Sequence, residues 1–177
     1  SMNLLAISIK RPILTINSDA TEATISIDKI DIGMSGFVVK EIAKDHSIIL
    51  NNATVKEFDA SKKIATITLG KFTPLKNDAL PEGKWKAETN DTVSLASSYS
   101  RGVLIAPNEE IYHKITTHTK LQWIHPDLFA TVLSFNGHPT PIREDFDKFS
   151  AALSAGLALI YLDGKVFTVD IKSFKIL

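Results

Sequence analysis

Runs in which apolar and polar side chains alternate, within the first hundred residues, constrain this chain more than any other feature. Ala23-Thr-Ile-Ser-Ile-Asp-Lys-Ile30 repeats with period two, which places every second side chain on one face of a strand. Gly36-Phe-Val-Val-Lys-Glu-Ile42 follows a Gly33/Gly36 turn, with Gly36 read as the residue that permits it. Ile48-Ile-Leu50 and Ala53-Thr-Val-Lys-Glu-Phe58 lead into the polar bend Asp59-Ala-Ser-Lys-Lys63. Ile64-Ala-Thr-Ile-Thr-Leu69 returns from it, rich in the β-branched residues that suit a pleated surface. Residues 71–90, with two prolines and many charges, read as a long surface connection before Thr92-Val-Ser-Leu95 and Val103-Leu-Ile105 resume strand character. Short strands with mostly short turns predict a small barrel or a curled sheet rather than a flat one.

Past residue 100 the period lengthens. Pro107-Asn108-Glu-Glu-Ile111 is a helix entry, with Asn108 as cap, Glu109 and Glu110 at the positive end of the helix dipole, and Ile111 and Ile115 on an inner face. Leu121-Gln-Trp-Ile124 reads as a short strand. Pro126 then opens a second helix with Leu128, Phe129, Val132 and Leu133 inward and Asn136-Gly137 as its stop. Thr140-Pro141 opens a third, with Phe146, Phe149 and Leu153 inward and Gly156 at its end. Leu157-Ala-Leu-Ile-Tyr-Leu162, Asp163-Gly164 and Lys165-Val-Phe-Thr-Val-Asp170 form the expected two-residue hairpin, with the first strand central in its sheet. The fold class expected is therefore α+β. A small β-barrel-like part over residues 1–100 precedes an α/β part over 101–177 with three helices and a terminal β-hairpin, the two packed as one compact unit.

Composition narrows the function classes. The chain has no cysteine, so neither disulfides nor thiolate metal sites support it and the core must. Lys+Arg and Asp+Glu are both 20, and they balance within each half (12 against 12, then 8 against 8), so neither half has a basic field for nucleic acid. Asn3 to Ile9 is too short to span a membrane and no basic residue precedes it, so no membrane span and no retained signal peptide are expected.

Candidate chemistry is sparse. His113 and His118 lie five apart, which points them about 140° away from each other on a helix. His125, Asp127 and His138 would form an acid–base or metal groove if the chain bends back at Gly137, with Trp123 as a stacking surface at its edge. Against this, His125 serves equally as a cap for the following helix, His138 as a loop residue and Trp123 as a core anchor. Glu144, Asp145 and Asp147 are explained by the helix dipole as readily as by carboxylate catalysis. Gly33-Met-Ser-Gly36 lacks the spacing of a nucleophile elbow, and Lys62-Lys63 belongs to an exposed hairpin tip. No catalytic residue, metal or cofactor is assigned. The leading expectation is a non-enzymatic binding module. The alternatives are an envelope hydrolase or small-ligand enzyme using the His125/Asp127/His138 groove, and a structural adaptor that accepts a strand from a protein partner.

Several strings occur together in order: Gly36-Phe-Val-Val39, Ala79-Leu-Pro81, Leu104-Ile-Ala-Pro-Asn-Glu-Glu-Ile-Tyr112, Trp123-Ile-His-Pro-Asp-Leu-Phe-Ala-Thr-Val-Leu-Ser134, Gly137-His-Pro139, Glu144-Asp-Phe146 and Ser173-Phe-Lys-Ile-Leu177. From about Ile25 to the last residue they resemble the N-terminal domain of the plasminogen-binding surface proteins of Helicobacter and related Campylobacter-type bacteria. The resemblance implies an extracytoplasmic protein, in the periplasm or at the cell surface, whose partner is host plasminogen. Kringles of that partner take lysine by its ammonium and by a carboxylate about one side chain away. Lys175-Ile176-Leu177 does not carry that pair at the terminus. The resemblance thus leaves an internal lysine near an acid, such as Lys56-Glu57, Lys62 with Asp59 or Lys172 with Asp170, and singles out none of them.

Overall fold

In the computed structural model, which describes residues 8–72, 85–125, 127, 143 and 155–177, the alternating segments pair as antiparallel strands. Contacts divide the chain into two compact units, 8–96 and 97–177. The first contains β1 (Ile9–Pro12), β2 (Thr15–Ile16), β3 (Glu22–Ser26), β4 (Ser35–Ala43), β5 (His46–Asp59), β6 (Ile64–Lys71) and β7 (Thr92–Leu95). They lie in the order β1-β7-β4-β5-β6-β3-β2. β1 and β2 are consecutive in sequence yet stand at opposite ends of that order. Between them Ile13 N donates to Asp91 O beside β7, while Leu14 N donates to Thr24 O in β3. One bent run of chain thus fastens both margins, and the sheet curls around on itself.

The alternation dictates what that curl encloses. Ala65, Ile67 and Leu69 of β6, Ala23 and Ile25 of β3, and Val55 of β5 are buried, with the intervening threonines facing out. Register shifts opposite Val38/Val39 and between Val55 and Glu57 leave Leu50 and Lys56 as extra residues of β5, which bends that strand and increases its twist. Lys56 is the inserted residue of the second bulge. Gly36 is not in a turn, as the sequence reading placed it, but inside β4 opposite Leu95. A Cβ there would lie 1.9 Å from Ser94 O, so only glycine lets β4 and β7 approach this closely. Nearby, Lys40 Nζ reaches Asp91 Oδ2 at 3.0 Å and Glu88 Oε2 at 3.3 Å, tying the residues before β7 to β4.

The second unit contains β8 (Arg101–Ile105), α1 (Glu109–His118), β9 (Gln122–Ile124), β10 (Leu157–Leu162) and β11 (Lys165–Asp170). Its sheet runs β11-β10-β8-β9, with β8 parallel to both neighbours and β10–β11 antiparallel. Asp163 and Gly164, both at positive φ, make the hairpin turn. Val103, Ala158, Val169 and Ile124 share one buried cluster. Leu104 and Leu157 are wholly buried as well, so the inner strands of this sheet are apolar on both faces.

The expectation of an α+β class with a three-helix C-terminal part is corrected. The protein is mostly β, with 51% of the described residues in strands, 9% helical and one short helix among them. That helix rests on its cap, Ile111 N donating to Asn108 Oδ1, and buries none of its residues fully. The fully buried apolar side chains of this unit lie instead largely in β8, β10 and β11. The segments read as second and third helices, from Pro126 and from Thr140-Pro141, fall almost entirely outside the described residues.

Candidate functional site

β9 carries Trp123 into register with Gly102 of β8. The ring is half-buried, and its Nε1 is enclosed without an acceptor among the described residues. Trp123 is therefore built into the sheet surface rather than standing clear of it. Directly after β9, His125 and Asp127 come together: Asp127 N donates to His125 Nδ1 at 3.2 Å, and that nitrogen lies 3.5 Å from Asp127 Oδ2. A ring whose Nδ1 accepts a backbone N–H carries its proton on Nε2 when neutral. The two side chains are 63% and 89% exposed, so this is a local turn on the surface.

Tyr112 of α1 lies beside this turn, its ring centroid 6.4 Å from that of His125 and 5.9 Å from that of His113. His118 contacts its own helix at Lys114 O. His138, the third member of the predicted groove, lies outside the described residues, as do Glu144, Asp145 and Asp147. Among the described residues no three His, Cys, Asp or Glu side chains gather as a metal site would require.

The lysine–acid pairs sort more sharply. Lys56 turns to Glu22 on β3, and this hydrogen bond holds its ammonium above the ordinary lysine pKa. Asp170, the acid near Lys172, is fully buried: Tyr99 Oη donates to its Oδ2 and Ser173 N to its Oδ1. The β5–β6 turn differs from both. Asp59 Oδ1 accepts from Ser61 Oγ at 2.6 Å, Ser61 N at 3.0 Å and Lys62 N at 3.1 Å. The Ser61 hydroxyl first, then the Lys62 amide, holds the Asp59 carboxyl below its usual range. One residue on, Lys63 Nζ pairs with Asp28 Oδ1 at 3.1 Å, both side chains being exposed.

Sequence reasoning missed two polar constellations, Lys40–Asp91–Glu88 and Tyr99–Asp170. Their partners come from distant strands, so no local spacing announces them.

Across the described residues, then, the chain presents a mostly-β scaffold with charged turns. It belongs to the family described as plasminogen-binding protein pgbA N-terminal, whose model matches residues 8–177. Two relatives, each named plasminogen-binding protein PgbA, from Helicobacter pylori strains J99 and 26695, are 30% identical to it over 149 residues. The match covers 84% of this chain and 32% of each relative, so the chain spans about a third of their length. These relatives are named as binding proteins, not enzymes. No solved structure matches the chain. No helix among the described residues is long and apolar enough to cross a membrane.

Proposed function

We propose that this domain is a non-enzymatic, extracytoplasmic binding module that takes part in capturing plasminogen at the bacterial envelope. The family match across residues 8–177 carries this reading. Surface plasmon resonance with plasminogen, with and without a lysine analogue as competitor, tests it. Binding that the analogue abolishes is expected. Absence of lysine-sensitive binding at micromolar protein overturns direct capture and leaves a scaffolding role.

One observation favours a second reading, an adaptor that accepts a strand. Among the described residues β11 is the last strand of its sheet, and residues 176–177 pair with only part of it, through the Val169–Ile176 bridge and Leu177 N donating to Thr168 O. Val166 and Leu162 are exposed at the uncovered end. Amide exchange at residues 165–167 that slows on partner binding supports this reading; unchanged exchange with bound partner rejects it.

A further inference from the structure

We infer that the β5–β6 turn, with Lys62 and Lys63 set among Asp59 and Asp28, is the surface that presents lysine to a partner's lysine-binding pocket. This rests on the binding function proposed above and names the place where that function resides. A pocket of this kind seats an ammonium among acids and a neighbouring carboxylate against a base. Its ligand must therefore offer both charges, accessible and at fixed separation. The turn offers both.

Three properties recommend it over Lys40 and Lys172. The first is accessibility. Lys40 has only 11% of its side chain exposed and is held by two acids, and the acid next to Lys172 is buried against Tyr99. The Lys63 and Asp28 side chains are instead 64% and 87% exposed.

The second is preorganisation. Three donors fix the Asp59 carboxylate, and Lys63 O accepts from Ile27 N, pinning the turn to the chain leaving β3. Lys63 holds a left-handed backbone, φ 54, as Asp45 and Asp163 do at the other two lysine-bearing tips, so it is the bonded Asp59 that distinguishes this turn. Order already present in the free protein need not be created on binding. Among the described residues, the other two lysine-bearing hairpin tips, Lys44-Asp45 and Asp163-Gly164-Lys165, show no comparable hydrogen-bonded acid.

The third is weak internal commitment. An exposed pair such as Lys63–Asp28 contributes little to stability, so exchanging it for a partner's acids costs little.

The test compares immobilised full chain with Lys62→Ala/Lys63→Ala, and with Lys44→Ala and Lys165→Ala as controls, using plasminogen as analyte and 6-aminohexanoate as competitor. Unchanged thermal melts establish that each variant folds. At least about tenfold weaker binding by the double variant, with both controls at wild-type affinity, is the expected result. Lysine-sensitive wild-type binding that the double variant retains overturns this site and leaves the proposed function standing. A control that loses as much as the double variant overturns it likewise. A wild-type chain that shows no lysine-sensitive binding overturns the proposed function and this site with it.

Discussion

Tyr99 donates its hydroxyl to Asp170 across 71 residues of sequence, and both side chains are buried. The same carboxyl accepts from Ser173 N, and the Asp170 backbone bonds Phe174 N and Lys175 O, so one residue organises the whole C-terminal turn. Tyr99→Phe removes one donor and is expected to cost about 1–3 kcal/mol in urea unfolding. Asp170→Ala removes the acceptor of both bonds and is expected to cost more than Asp170→Asn, which keeps one. Equal stability of Tyr99→Phe and wild type would contradict this role.

Glycine is required at some positions and incidental at others. A Cβ on Gly36 would meet Ser94 O at 1.9 Å and one on Gly156 would meet Ser98 O at 2.4 Å, whereas at Gly70 the nearest atom lies 3.9 Å away. Alanine at Gly36 or Gly156 is expected to destabilise by more than about 2 kcal/mol, because backbone must move. Gly70→Ala is expected to be neutral or stabilising. Denaturation midpoints of the three variants check the ranking.

The Lys40 ammonium is held above its ordinary value of 10.5, first by its hydrogen bond to Asp91, with Glu88 adding and desolvation opposing. A pKa raised on folding stabilises while the pH is below the unfolded value, and that contribution fades as the pH climbs through the folded one. Lys40→Met is therefore expected to lower stability by about 1 kcal/mol at neutral pH. Wild type and variant should converge above pH 10.5, as read by urea midpoints across that range. A constant gap would show that packing of the lysine stem, not its charge, matters.

Asp59 shifts the opposite way. Its carboxyl sits below the ordinary 3.8, chiefly because of the Ser61 hydroxyl, so the turn's hydrogen bonds persist above 3.8 and fail as acid titrates the folded group. Following the Asp59 carboxyl by NMR should give a midpoint under 3.8 in wild type and a higher one in Ser61→Ala. Identical midpoints would remove the hydroxyl as the cause.

The strands of the first unit were legible because period-two burial writes itself into residues such as Ala65, Ile67 and Leu69. The Asp163-Gly164 hairpin was legible for a similar reason, since few other pairs suit two positive φ angles. Val55-Lys56-Glu57-Phe58 does interrupt the alternation with two successive polar residues, but only pairing with β6 shows the interruption to be a bulge at Lys56. Gly36 was misplaced because its need for glycine arises from Ser94, 58 positions away in sequence. In the C-terminal half the cap at Asn108 was legible and opens α1, whereas the starts read at Pro126 and at Thr140-Pro141 fall almost entirely outside the described residues. The contact of His125 with Asp127 could be read from a spacing of two. The burial of Asp170 could not, since a polar residue ending a hairpin strand looks solvated until Tyr99 is placed against it.

Residues 9–16 stitch the curled sheet along both of its borders, Ile13 on one side and Leu14 on the other. Shortening the chain within this run would unlace two seams at once, baring the backbones of β7 and β3 as templates for neighbouring molecules. Where recombinant protein is started relative to Ile13 should thus decide whether it stays dispersed or self-associates.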